Sequence, residues 1–260
     1  MKRFVLGFFS LCLLRPAAAQ LAPPNEAGVS LGHLHLNVKD VEAQKAFWLG
    51  QMGGVAVPFG AGQAVKFPGV LIMFRKGDPA GGTEGSVIDH IGFLVPNVKD
   101  FLARRRAAGV KVFNEQPTQG FIEAPEGIKI EIQQDPAQTV PIKSHHIHFQ
   151  TPSIEETRAW YVKLFAAKSG TRGRFQAADL PGVNLTFTQA QSDRVGTKGR
   201  SLDHIGFEVK NLEAFCKQLE AQGVKFDTPY RKVANIGLAI AFLTDPWGTY
   251  IELTEGLNKL

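Results

Sequence analysis

Four histidines divide this chain into nearly equal lengths. His33, His90, His146 and His204 stand 57, 56 and 58 residues apart in a sequence of 260. The residues around each histidine recur with it. Asp89-His90-Ile91-Gly92-Phe93 returns as Asp203-His204-Ile205-Gly206-Phe207, and related runs begin at His33 (HLHLNVKD) and His146 (HIHFQTPS). Self-similarity at a fixed period marks a repeated supersecondary unit. One such unit cannot bury its own apolar face, so the fold must come from pairing units.

Each unit reads in the same order. After the histidine-bearing strand, Leu212, Phe215, Cys216 and Leu219 fall at i, i+3, i+4 and i+7, the apolar face of a helix. Val98, Phe101 and Leu102 begin that pattern in the second unit, while the first and third carry Phe47-Trp48 and Trp160-Tyr161, read as core. Short β-rich runs follow at 64–67, 70–74, 121–124, 128–133, 183–188, 238–244 and 249–254. Ala124-Pro125-Glu126-Gly127 and Asp245-Pro246-Trp247-Gly248 put Pro second and Gly fourth, which suits type I turns. The expected class is α+β, with four βαβββ modules paired into two open, curved sheets. Modules one and two are assigned to residues 28–136 and modules three and four to residues 141–258, with the join at Pro136 to Lys143.

The first nineteen residues read differently. Lys2 and Arg3 precede an apolar run from Phe4 to Leu14, Arg15-Pro16 breaks it, and Ala17-Ala18-Ala19 follows. That order is the pattern of a secretory signal, and the run is too short to span a bilayer. A periplasmic or secreted mature chain beginning at Gln20 is expected, with no membrane contact. Cys12 would leave with the signal, so Cys216 has no partner for a disulfide. A composition 44% apolar and 20% charged supports a core of ordinary size. The net charge of +5 includes Lys2, Arg3 and Arg15, and the Arg104-Arg105-Arg106 run sits on a helix as a solvated face. Nucleic acid is therefore not an expected partner. A small-molecule substrate is expected, and a homodimer is left open.

A βαβββ unit that opens on a ligand-bearing strand and closes on a Glu-bearing one resembles the vicinal-oxygen-chelate superfamily. That superfamily includes glyoxalase I, bleomycin- and fosfomycin-resistance proteins and extradiol dioxygenases, and the resemblance spans roughly residues 30 to 255. It implies a divalent metal that chelates two adjacent oxygens of the substrate. Four residues after the turn glycine stand Glu131 (from Gly127) and Glu252 (from Gly248), but Met73 (from Gly69) and Thr186 (from Gly182). Each pair of modules then offers two His and one Glu. Pairing in chain order makes an N-terminal set of His33, His90 and Glu131 and a C-terminal set of His146, His204 and Glu252. Such a set suits Fe, Mn, Zn or Ni and leaves coordination positions open.

Strand alternation adds neighbours to these sets. His148, Glu208 and Tyr250 join the C-terminal set as catalytic candidates. His35, Asn37, Lys129, Gln133 and Arg75 join the N-terminal one, and His145 points the other way. The expected function is an exported metal-dependent glyoxalase-like enzyme of lyase or isomerase type acting on an oxygen-rich small molecule. Two alternatives stay open: an iron-dependent extradiol-type ring-cleaving dioxygenase, and a non-catalytic small-molecule-binding protein. The pattern departs from each enzyme. Glyoxalase I has a glutamate where Met73 or Thr186 stands. Extradiol enzymes have a Tyr at the position of Phe242 and a further His after the first strand of the third module. The protein recovered from its native host is expected to lack Met1 to Ala19 by mass spectrometry. Retention of those residues in the mature protein would contradict the signal assignment.

Overall fold

The computed structural model describes residues 20–260; the expected signal segment lies outside the described residues. Four βαβββ modules follow in order. Module one comprises β1 (Val29–Val38), α1 (Val41–Ala46, continued by a wider turn at Phe47–Gln51), β2 (Val55–Phe59), β3 (Gly62–Phe67) and β4 (Val70–Lys76). Module two comprises β5 (Ile88–Val95), α2 (Val98–Ala107), β6 (Val112–Gln116), β7 (Gln119–Ala124) and β8 (Ile128–Gln134). Module three has β9 (Lys143–Thr151), α3 (Ile154–Phe165), β10 (Lys168–Arg172), β11 (Phe175–Leu180) and β12 (Val183–Gln189). Module four has β13 (Leu202–Val209), α4 (Leu212–Ala221), β14 (Thr228–Val233), β15 (Leu238–Thr244) and β16 (Tyr250–Glu255).

Three helices begin where a short polar side chain can accept a free backbone N–H. Asp40, Asn97 and Asn211 accept from the amides of Ala43, Asp100 and Ala214. Their inner faces are the expected ones: Val98, Phe101 and Leu102 on α2, and Leu212, Phe215, Cys216 and Leu219 on α4. Burial pushes the Cys216 thiol up to about 11, so it behaves as a small apolar group. The turn at Pro125–Gly127 departs from type I, because Glu126 adopts a left-handed φ of 64°. Its carboxylate is held there by the Lys39 amide at 2.6 Å and the Gln44 side-chain amide at 3.2 Å, which ties module two to the start of α1.

The strands form two eight-stranded sheets, but not in the expected combination. One sheet runs β14-β15-β16-β13-β1-β4-β3-β2 and the other β10-β11-β12-β9-β5-β8-β7-β6. Module one is therefore paired with module four, and module two with module three; the expected sheets of modules one with two and three with four are corrected. Each opening strand lies parallel to the closing strand of its own module and antiparallel to the opening strand of its partner. Every module presents the same free opening-strand edge, and any second module satisfies it, so the repeat pattern cannot select the partner. The connections decide it. Residues 77–87 and 190–201 cross between the sheets side by side, bonded at Ala80–Gly199, Ser201–Gly81 and Val87–Val195.

Consecutive modules meet instead through their apolar faces. Trp48 and Phe67 of module one lie 6.0 Å and 5.3 Å from Phe93 of module two, and Phe165 of module three lies 5.0 Å from Phe207 of module four. Along β1, Leu34, Leu36 and Val38 enter this core while His33 and Asn37 point to the concave side, the period-two alternation of a strand.

The glycine of the repeated Asp-His-Ile-Gly-Phe run has a specific task. His33 of β1 lies opposite Gly206, and His146 of β9 opposite Gly92. A Cβ on either glycine would sit 2.0 Å from Cε1 of the facing imidazole. Gly206→Ala is expected to destabilise by about 1–3 kcal/mol, because the buried His33 ring has nowhere to go. Gly50→Ala, in a helical turn with open space around it, should be neutral or stabilise by up to about 1 kcal/mol. Urea unfolding of the two variants checks this, and a Gly206→Ala protein as stable as the parent would contradict the packing.

Candidate metal centres

The paired sheets curve into two cups. In the first cup, built by modules one and four, His33 Nε2 and His204 Nε2 each stand 2.9 Å from the same oxygen, Oε2 of Glu252. In the second, built by modules two and three, His146 Nε2 is 2.9 Å and His90 Nε2 3.2 Å from Oε2 of Glu131. All six side chains are buried. The structure brings together the six expected ligands, but as His33/His204/Glu252 and His90/His146/Glu131. The chain-order sets are corrected, for the same reason that the sheets are: each cup draws one histidine from each half of the chain.

Each cup holds a further histidine, two residues along the strand. His35, with His33, His204 and Glu252, offers ligand atoms that all lie within 4.8 Å of one another, and so do His90, His146 and His148. Both ring nitrogens of His35 and Nδ1 of His33 are buried without a hydrogen-bond partner. An imidazole left unpaired in this way is costly unless something fills the gap. A divalent ion fits the donor set and would engage one of the unpaired nitrogens of His35.

The aspartate before each repeated histidine is a functional residue that strand alternation hid. Neighbours in a regular strand face opposite ways, but the register shifts at Asp89 and at Asp203, so both members of each Asp-His pair face the cup. Asp203 Oδ1 lies 2.6 Å from His204 Nδ1, and Asp89 Oδ1 2.6 Å from His90 Nδ1. Each carboxylate accepts the Nδ1–H and leaves Nε2 free to face the centre, the usual outer support of a metal-binding imidazole. The repeated Asp-His pair was the sequence signal for this role.

Charge is arranged around these carboxylates. Burial would raise Glu252, but its bonds to His204 and His33 outweigh that and hold it well below the usual carboxylate range. Glu131 is likewise held low by His146 and His90 against the effect of burial. Burial would lower His204, yet Asp203 and Glu252 leave it raised. Burial pushes His146 well below the ordinary imidazole value and His148 down to about 3, so both are neutral near pH 7.

The proposed catalytic trio is not one group. His148 lies in the second cup, 3.2 Å from Thr188 Oγ1, whereas Tyr250 lies in the first, its ring 5.6 Å from that of His204. Burial pushes the Tyr250 phenol up to about 12, so it keeps its proton. Glu208 does not reach the centre. Its carboxylate accepts from Thr254 Oγ1 at 2.9 Å and from the Gly256 amide at 2.8 Å, and so anchors the turn after β16. His145 is not turned away, since a register shift in β9 brings its Nδ1 to 3.0 Å from Nδ1 of His146.

The cups differ in lining. The lost fourth ligand position is Met73 in the first cup, packed with Leu71, Ile240 and Phe59, and the Phe242 and Tyr250 rings stack there at 5.2 Å. In the second it is Thr186, which accepts from Arg172; Arg172 also donates to Gln133, and Lys129 pairs with Asp89 in the same cup. Arg172 was not anticipated, and no sequence pattern marks it.

The family model of the Glyoxalase/Bleomycin resistance protein/Dioxygenase superfamily matches residues 143–253, which are modules three and four. No curated protein matches the chain in sequence. Among solved structures, glyoxalase I from Zea mays superposes with a TM-score of 0.72 at 15% identity, covering 89% of this chain and 94% of that one. A candidate dioxygenase from Bacillus subtilis gives a TM-score of 0.68 at 14% identity, covering 91% of this chain and 86% of its own. At these identities the likeness to the solved structures is one of fold. By sequence, modules three and four match the Glyoxalase/Bleomycin resistance protein/Dioxygenase superfamily, and both sheets together share the fold of glyoxalase I.

Proposed function

We propose that the chain is a metal-dependent enzyme of glyoxalase-like type, acting on a small molecule that offers two adjacent oxygens. The observation that carries this reading is the convergence of two imidazole Nε2 atoms on one carboxylate oxygen in each cup. In the first cup His33, His204 and Glu252 would hold the ion, with the unpaired His35 as a fourth donor; in the second, His90, His146 and Glu131 with His148. A bound Fe, Mn, Zn or Ni ion would act as a Lewis acid on the substrate oxygens.

The chain's own residues limit what else can happen. Neither Met73 nor Thr186 can move a proton, so that task falls to other groups. In the first cup the protonated Tyr250 can donate a proton, and in the second His148 stays neutral and can accept a hydrogen bond from a ligand. A lyase or isomerase reaction by proton relocation uses these groups. A second reading, an extradiol-type ring-cleaving dioxygenase, is favoured by the apolar first cup and by the stacked Phe242–Tyr250 pair, which suit a flat aromatic ring. The basic, apolar and small-residue order of the first nineteen residues supports an exported protein.

Elemental analysis of untagged protein purified without added metal tests the reading. Iron accompanied by oxygen-dependent ring cleavage would favour the dioxygenase, zinc, nickel or manganese the lyase or isomerase, and protein free of metal would leave only a binding role. Asp203→Asn is expected to weaken metal binding about 10–100-fold, since it keeps an oxygen that can accept from His204 Nδ1 but removes the negative charge that strengthens that imidazole as a ligand.

Proton competition should differ between the cups. With His204 raised by Asp203 and Glu252, protons should begin to displace metal from the first cup at a higher pH than from the second. With His146 and His148 pushed down, the second cup should keep its metal to lower pH. Metal titrations of single-cup variants between about pH 5 and 8 read this directly, and identical profiles would contradict it.

A further inference from the structure

Arg172 closes β10, and its guanidinium turns into the second cup. Nε donates to Thr186 Oγ1 at 2.7 Å, Nη1 to Gln133 Oε1 at 3.2 Å, and Nη2 faces His148 Nδ1 at 3.5 Å. Each of these partners is neutral. The one carboxylate near it is Glu131, whose Oε2 lies 3.9 Å from Nη2 and already receives His146 and His90. The side chain is only 14% exposed, so water screens its charge poorly.

The other charges in this cup are spoken for. Lys129 Nζ bonds Asp89 at 2.7 Å, and Asp89 also receives His90 Nδ1 and the Gln150 amide. Glu131 is therefore the single carboxylate left to offset both Arg172 and any divalent ion held beside it. A metal placed against His90, His146 and Glu131 would leave the cup strongly positive, with a guanidinium at the open fourth position. Such a site is completed by an anion that touches both cations. The first cup has no such demand. Its residue at the matching place, the last of β2 before the hairpin glycine, is Phe59, packed with Met73.

We propose that the second cup takes its metal together with an oxyanion, a carboxylate or phosphate group of the ligand, and that Arg172 is the residue that recognises it. This rests on the metal reading of that cup and adds the ligand class to it. The two cups then serve different ligands, an anionic one beside Arg172 and an apolar or aromatic one beside Met73 and Phe59. Because coupling is reciprocal, the anion must raise metal affinity as much as metal raises anion affinity.

Metal-free protein carrying His204→Ala, which disables the first cup, is titrated with Mn2+ while free Mn2+ is followed by electron paramagnetic resonance. Pyruvate, phosphate and hydroxyacetone are added in separate arms; hydroxyacetone is a neutral molecule of pyruvate's size that also offers two adjacent oxygens, a hydroxyl in place of the carboxylate. Pyruvate, phosphate or both should tighten Mn2+ binding about tenfold or more, and hydroxyacetone should not. A response to pyruvate alone assigns a carboxylate, and a response to phosphate alone assigns a phosphate. Arg172→Gln should abolish the difference and bind Mn2+ more tightly without any anion, while Arg172→Lys should retain part of the effect. Mn2+ binding that ignores the anions, or an anion effect that survives Arg172→Gln, overturns the proposal and leaves the metal reading standing. Failure to bind Mn2+ in every arm overturns both.

Discussion

Where β1 lies against β13 and β5 against β9, antiparallel pairing sets imidazoles from the two halves of the chain side by side. His35 faces His204 across one seam and His90 faces His148 across the other. Closing strands then bring Glu252 and Glu131 in from parallel neighbours. Neither cup exists within one module or within one half of the sequence. The seam also explains the glycines, since Gly206 and Gly92 leave room for the ring of the facing histidine. The bulges at the same seam turn Asp203 and Asp89 inward, so one local irregularity in each sheet supplies both a ligand and the group that orients it.

Electrostatics makes these cups centres rather than packing. Burying a carboxylate is expensive unless charge or hydrogen bonds compensate it. Glu252 and Glu131 are compensated by two imidazole nitrogens each, and a divalent cation held by the same atoms would compensate them further. The same frame occurs twice, in different surroundings. Met73, Phe59 and Tyr250 line one cup where Thr186, Arg172 and Lys129 line the other.

Much of this was legible in the sequence. The interval between histidines, the helical faces of α2 and α4 and the count from turn glycine to glutamate identify the modules and the six side chains that converge in the cups. What the sequence could not carry was partner choice, because four near-identical edges are interchangeable to any argument from periodicity. The connecting segments at 77–87 and 190–201 settle it through contacts that have no pattern of their own. Strict alternation also misled at bulges: it hid Asp89 and Asp203 and turned His145 away from His146. Glu208 faces as expected along its strand, but the turn after β16 claims its carboxylate.

The central claim is that each metal centre draws one histidine from each half of the chain. Metal content per chain in two double variants tests it most directly. His33→Ala with His204→Ala removes two ligands from one cup, so the protein should retain metal in the other. His33→Ala with His90→Ala removes one ligand from each cup and should abolish tight binding at both. The reverse outcome, with metal retained in the His33/His90 variant and lost from both sites in the His33/His204 variant, would contradict the account.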